Sequence, residues 1–202
     1  SEVNTTATIA ISGSKSETNR LLLLQALFPS IQLKKTSVSD DSEVMIKALR
    51  SNDVIIDIHH AGTAMRFLTA YFAVQEGREI VLTGSLRMKE RPIKILVDAL
   101  RQIGADIRYE ENEGFPPLRI KGKKLLGNKI NIAAGVSSQY ISALLLMAPK
   151  LENGIELTLE GELTSKPYLQ MTLDLLHQIG VKTSFEDNKI SVFPTTYNLQ
   201  PT

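Results

Sequence analysis

A chain of 202 residues, 43% of them hydrophobic and 22% charged, has the balance of a globular protein. Its length lets it bury roughly 70% of its unfolded surface without staples. It has no cysteine, which excludes disulfides and thiolate chemistry and fits a reducing compartment. Lys and Arg number 23 against 22 Asp and Glu, a formal net charge of +1. That balance argues against a dedicated nucleic-acid coat or a polybasic membrane anchor, so any anion site has to be local. No apolar run approaches the ~18 residues of a membrane span. The opening Ser1-Glu2-Val3-Asn4 has neither the basic nor the apolar region of a secretory signal. The expectation is a soluble, cytoplasmic protein with no membrane and no nucleic-acid partner.

In chain order, residues 1–11 contain a possible strand. Glu17–Phe28, with Leu21-Leu22-Leu23-Leu24, is apolar all round and predicts a buried helix. Ile31–Lys35 follows as a strand. Ser39-Asp40-Asp41-Ser42 is a polar entry, with acceptors suited to an N-cap, to a helix over Ser42–Leu49. Val54–Ile58 is a strand, Ala64–Val74 a second buried helix and Glu79–Thr83 another strand. After a polar loop with basic residues and Pro92, the residues Ile93, Leu96, Val97, Leu100 and Ile103 form the apolar stripe of an amphipathic helix. Lys94, Asp98 and Arg101 lie opposite, and Gly104 stops the helix in a left-handed cap. Asp106–Glu110 and Leu118–Lys121 pair as two short strands. The pattern then returns: an apolar helix over Gln139–Met147, a strand over Glu156–Leu159, a loop and helix from Lys166-Pro167 to the stop at Gly180, and strands Lys182–Glu186 and Lys189–Val192. Phe193–Thr202 is polar and reads as a linker.

That return is an internal repeat. Ile80-Val81-Leu82-Thr83 matches Ile155-Glu156-Leu157-Thr158, and Arg91-Pro92 matches Lys166-Pro167. Leu100-Arg101-Gln102-Ile103-Gly104 matches Leu176-His177-Gln178-Ile179-Gly180. A near-constant offset across ordered matches is the mark of a duplicated unit. The first 60 residues read as a worn copy that has lost most of a strand pair. The fold class is therefore α/β (α+β): three repeated β-α-β-α-β-β units, about 13–60, 61–122 and 129–193, with three buried helices surrounded by sheets and outer helices.

Each buried helix opens on small polar residues: Ser12-Gly13-Ser14-Lys15-Ser16, His60-Ala61-Gly62-Thr63, and Gly135-Val136-Ser137-Ser138-Gln139. Units of one orientation bring these starts to one face, where free N–H groups and helix dipoles favour anions. Lys15 and Arg20 add charge there, with Arg20 one turn along from Ser16. The outer loops bring Arg87, Lys89 and Arg91 in one unit, and Ser165, Lys166 and Tyr168 in another. The pattern suits a polyanionic small molecule. Each helix start by itself is also an ordinary cap; three in register with nearby cations favour a ligand.

Other constellations fail. Gly13-Ser14-Lys15-Ser16 lacks the full phosphate-loop pattern. His59 and His60 are adjacent rather than spaced for a metal, His177 reads as an exposed helix residue, and no metal or cofactor is expected. Asp40-Asp41 is a helix entry and Glu110-Glu111 a hairpin loop. No general acid or base stands out.

At these motifs the chain resembles the 3-phosphoshikimate 1-carboxyvinyltransferase (EPSP synthase) family. The resemblance rests on Gly13-Ser14-Lys15-Ser16 with Asn19-Arg20, and on Ala61-Gly62-Thr63-Ala64-Met65-Arg66. It extends to Arg87-Met88-Lys89-Glu90-Arg91-Pro92, Val136-Ser137-Ser138-Gln139 and Ser165-Lys166-Pro167-Tyr168. It implies one lobe of a two-lobed enolpyruvyl transferase fold, and transfer of the enolpyruvyl group of phosphoenolpyruvate to the 5-hydroxyl of shikimate 3-phosphate. Lys15, the one catalytic residue carried over, would touch both substrates. Ser16, Arg20, Ser137, Ser138, Gln139, Ser165 and Tyr168 would hold or pack on shikimate 3-phosphate. Gly62 and Arg91, with Gln139, would hold phosphoenolpyruvate. Ser12, His60 and Phe67 depart from the family's usual Pro, Asn and Pro. The family chain is about twice this length, and its acid and base carboxylates lie on a second lobe. Residues 1–12 and 194–202 would then be the crossings to that lobe, and the isolated chain would be inactive. Two alternatives stand beside this one. The sister transferase acting on UDP-N-acetylglucosamine shares the fold, but its usual cysteine is missing here. The other is a non-enzymatic module binding a phosphate ligand.

Overall fold

The computed structural model describes residues 12–135, 137–163 and 165–195. The possible strand in residues 1–11 and all but the first residues of the polar tail lie outside them. The elements in chain order are α1 (Lys15–Leu27), α2 (Asp40–Arg50), β1 (Ile55–Asp57), α3 (Gly62–Ala73), β2 (Glu79–Thr83), α4 (Leu86–Lys89), α5 (Lys94–Gln102), β3 (Asp106–Tyr109) and β4 (Leu118–Lys121). They continue with β5 (Lys129–Ala133), α6 (Ser138–Met147), a short 3₁₀ turn (Ala148–Lys150), β6 (Ile155–Glu160), α7 (Lys166–Gln178), β7 (Thr183–Glu186) and β8 (Lys189–Val192). No helix among the described residues is long and apolar enough to cross a membrane.

Two four-stranded mixed sheets, ordered β1-β2-β4-β3 and β5-β6-β8-β7, repeat one topology. In each, a parallel pair is joined through a buried helix and followed by an antiparallel hairpin. Period-two alternation turns Ile80, Leu82, Leu118 and Ile120 inward in one sheet, and Ile130, Ile132, Leu157 and Leu159 inward in the other. The helices α1, α3 and α6 pack on one another, and α3 also lies against β2 and β4. Every residue of α3 except Thr63 is buried, and every residue of α6 except Gln139, which is why neither segment has a polar face to read. The outer helix α5 buries the predicted stripe, with Ile93, Leu96, Val97 and Leu100 fully buried. Gly104 and Gly180 take φ of 100° and 83° just past α5 and α7, as left-handed helix stops.

The structure departs from the sequence reading at four places. Ile31–Lys35 forms no strand: the first unit has no sheet among the described residues, so this segment has no ladder to join. The strand expected at the close of the first unit opens the sheet of the second, pairing in parallel with β2 through Ile55–Val81 and Ile56–Leu82. The opening strand of the third unit, which the unit pattern from residue 129 implies but the segment-by-segment reading does not name, is β5, with buried Ile130 and Ile132 alternating with exposed neighbours. The polar loop before α5 also contains one helical turn, α4.

A candidate anion-binding site at three helix N-termini

The starts of α1, α3 and α6 converge. Lys15, Ser16, Asn19 and Arg20 from α1, Thr63 from α3, and Ser137, Ser138 and Gln139 at α6 line one cavity of about 320 Å³, with Tyr168 of α7 at its side. The Gln139 amide donates to Thr63 Oγ1 at 3.2 Å, tying the first turns of α6 and α3 together. Ser14 and Ser137 cap α1 and α6, accepting from Glu17 N and Gln139 N. The start of α3 has no side-chain cap: its N-cap is Ala61. Its first N–H groups are thus left to a ligand or solvent.

The walls of this cavity carry two cations and no carboxylate. Lys15 is half-exposed, with Nζ 3.4 Å from Asp41 Oδ2 at the start of α2. Arg20 is only 3% exposed. Its Nε donates to Thr172 Oγ1 at 2.8 Å, Nη1 to the Ser16 carbonyl at 2.8 Å, and Nη2 to Ser142 Oγ at 3.0 Å and the Tyr168 carbonyl at 3.4 Å. All four acceptors are neutral. The Phe67 ring lies beneath the guanidinium, 5.5 Å from centroid to Cζ. Burial pulls the Arg20 pKa down from 12.5 to about 10, partly opposed by Tyr168, so the group stays charged at neutral pH. Among the described residues its buried charge has no counter-ion, and it stands on the wall of an open cavity.

A second cavity, about 430 Å³, is lined by His60, Arg87, Met88 and Arg91. Its link to the first is the opening turn of α3. The Arg91 guanidinium lies so close over Gly62 that a Cβ there would overlap it, so glycine is what admits this approach. Behind it Arg66, 4% exposed, donates to the Gly62 carbonyl at 3.2 Å and to the Pro92 carbonyl at 3.0 Å. Tyr140 Oη donates to the same Pro92 carbonyl at 2.6 Å, so the backbone just after Arg91 is held from two helices. Burial, chiefly, and the neighbouring Arg91 lower the Arg66 pKa, while Tyr140 raises it.

Of the residues singled out in the sequence, Lys15, Ser16, Arg20, Ser137, Ser138, Gln139 and Tyr168 share the first cavity. Gly62 and Arg91 meet at the second. Ser165 stands apart from both sets of walls, as the residue before α7 with no side-chain capping bond. Sequence reasoning gave Asn19, Thr63 and Arg66 a place in motifs but no role of their own, and it passed over Ser142 and Thr172. A polar residue within an apolar helix was the available sign for Arg66 and Ser142.

The sequence profile of the family described as EPSP synthase (3-phosphoshikimate 1-carboxyvinyltransferase) matches residues 32–201. A 3-phosphoshikimate 1-carboxyvinyltransferase of Bacteroides fragilis strain YCH46 is 50% identical over 197 residues, covering 96% of this chain and 48% of the relative. That of Colwellia psychrerythraea is 41% identical over 208 residues, covering 90% and 49%. In fold, the chain superposes on EPSP synthase from Acinetobacter baumannii with a TM-score of 0.77 at 21% identity, over 96% of this chain and 48% of the other. The chain thus spans about half the length of the curated relatives it matches. Profile, relatives and fold agree, and the chain belongs to the EPSP synthase (3-phosphoshikimate 1-carboxyvinyltransferase) family.

Proposed function

We propose that this chain is the shikimate 3-phosphate-binding half of a 3-phosphoshikimate 1-carboxyvinyltransferase. One observation carries the reading: Arg20, buried with neutral acceptors alone, on the wall of a carboxylate-free cavity at three helix N-termini. Such a site is complementary to a phosphate monoester. Arg20 and Lys15 attract the 3-phosphate, while Ser16, Ser137, Ser138 and Gln139 donate to its oxygens and to ring hydroxyls. Tyr168 packs on the ring, and Ser165, outside the cavity walls, is assigned to this ligand by the family resemblance alone. Arg91 over Gly62 takes the phosphoenolpyruvate, with Lys15 and Gln139 between the two ligands.

In the reaction the 5-hydroxyl oxygen of shikimate 3-phosphate bonds to C2 of phosphoenolpyruvate and gives up its proton, while the methylene carbon takes one. Loss of a proton from that carbon and cleavage of the C2–O bond then release phosphate and leave the enolpyruvyl ether. Lys15 and Arg91 provide part of the charge clamp. The acid and base carboxylates belong to a second lobe of the same enzyme, which is this chain's partner. Residues 13–193 are assigned to the lobe of three units. The substrates are soluble metabolites, in keeping with a cytoplasmic enzyme of the shikimate pathway.

Calorimetric titration with shikimate 3-phosphate tests the reading. The chain binds it weakly, and Arg20→Ala weakens binding by about 10- to 150-fold, the loss of a charge-assisted hydrogen bond. Equal affinity of wild type and variant would place the phosphate elsewhere. Phosphate release from both substrates is absent with the isolated chain and returns when the second lobe is supplied.

A further inference from the structure

Two buried hydroxyls outside every predicted site hold the guanidinium of Arg20. Ser142, in the middle of α6, and Thr172, in the second turn of α7, are both fully buried. Each accepts from Arg20, at 3.0 and 2.8 Å. They lie 2.9 Å from each other, and Thr172 Oγ1 donates its own hydrogen bond to the Tyr168 carbonyl at 2.9 Å. The Thr172 proton is thereby directed away from the cation, and its lone pairs face Nε.

A buried arginine is ordinarily paired with a carboxylate, because desolvating an unpaired charge is costly. Here the cost is met by dipoles: two hydroxyls, two carbonyls and the face of Phe67. Dipoles fix the orientation of a guanidinium without cancelling its charge. A carboxylate in the same place would fix it equally well and remove its pull on an anion. The use of hydroxyls from two further helices is therefore a functional choice as well as a packing one.

We propose that Ser142 and Thr172 are positioning residues of the anion site, aiming the Arg20 charge into the cavity while leaving it unneutralised. The inference rests on the ligand reading above only for the identity of the anion. The hydroxyls act through Arg20 and touch no ligand themselves.

The test titrates the chain with shikimate 3-phosphate and, in parallel, with inorganic phosphate. Ser142→Ala and Thr172→Val each raise the Kd of both ligands by about tenfold, the scale of one hydrogen bond to a charged group. Ser142→Thr and Thr172→Ser, which keep the hydroxyl, retain the wild-type affinity. In an Arg20→Ala background, Ser142→Ala has no further effect, because the hydroxyl acts only through the arginine. Ser142→Asp separates aiming from holding: it grips Arg20 and unfolds no earlier than Ser142→Ala, yet binds anions worse. Unchanged affinity in Ser142→Ala and Thr172→Val, additive losses in the Arg20→Ala background, or full affinity in Ser142→Asp would overturn the proposal. Binding of inorganic phosphate that these variants weaken, with no binding of shikimate 3-phosphate, would overturn the ligand reading and uphold the positioning role. Wild type that binds neither overturns both.

Discussion

The side-chain amide of Gln102 pairs with the backbone of Asn131 as a neighbouring strand would. Its Nε2 donates to the Asn131 carbonyl at 3.1 Å, and its Oε1 accepts from the Asn131 N–H at 2.9 Å. Asn131 sits in β5, which pairs on its other side with β6. The last residue of α5 in one unit thus closes an open strand edge in the next, a protection edge strands require. Gln102→Ala frees two backbone groups that water can still reach. Its cost is about 1 kcal/mol, the net worth of exposed hydrogen bonds. Urea denaturation checks this, with faster exchange of the Asn131 amide in the same variant.

Gly62→Ala puts a methyl group where the Arg91 guanidinium lies. The arginine is exposed and its end can swing away, so the fold survives. The expected outcome is an unfolding midpoint close to wild type and a weaker thermal shift by phosphoenolpyruvate. An unaltered shift would separate Arg91 from that ligand.

Asp41 competes with any anion for Lys15, at 3.4 Å from its ammonium. Asp41→Asn removes that competitor and a negative charge near the cavity. The Kd for inorganic phosphate falls about two- to fourfold at low salt, and the gain shrinks as salt screens it. Titrations at two ionic strengths decide; weaker binding would mean that Asp41 steers Lys15 rather than occupying it. The substitution also costs α2 about 0.3–1 kcal/mol, since an acid in the first turn complements the helix dipole.

Tyr109 carries a buried hydroxyl with no hydrogen-bond partner among the described residues. Burial, the largest influence, pushes its pKa up from 10.0 to about 12, with Arg101 and Lys94 pulling down and Asp98 and Glu113 pushing up. The folded state keeps the proton longer than the unfolded state. The contribution is therefore whole below pH 10.0 and is lost as pH rises through about 12. Tyr109→Phe, which leaves no unsatisfied hydroxyl, is at least as stable as wild type near neutrality. It also loses less of its unfolding midpoint between pH 9.5 and 11.5. Identical pH profiles would show that Tyr109 ionises as readily folded as unfolded.

The sequence made the local features legible. The apolar runs of α3 and α6 announced burial, and β2, β4 and β8 emerged with the observed bounds because their alternation is complete. Pairing was harder. Ile55–Asp57 reads the same as the end of one unit or the start of the next, and only its parallel partner β2 decides. Ile31–Lys35 has strand composition, but a strand exists only where a ladder is available. In the site, charged and small polar residues at helix starts were visible, whereas the side chains that orient them were not. Ser142 and Thr172 lie mid-helix, and their meaning depends on an arginine brought to them by the tertiary fold.

Arg20 finds its side-chain partners 122 and 152 residues away along the chain. Both contacts therefore join the first unit of the described chain to the third. No partially folded fragment holding only the first unit has the guanidinium oriented, and none holding only the third unit has the charge. Anion affinity is therefore a reporter of the whole chain's integrity. A bound anion lifts global unfolding rather than any local opening, and an assay of binding doubles as a count of correctly assembled molecules.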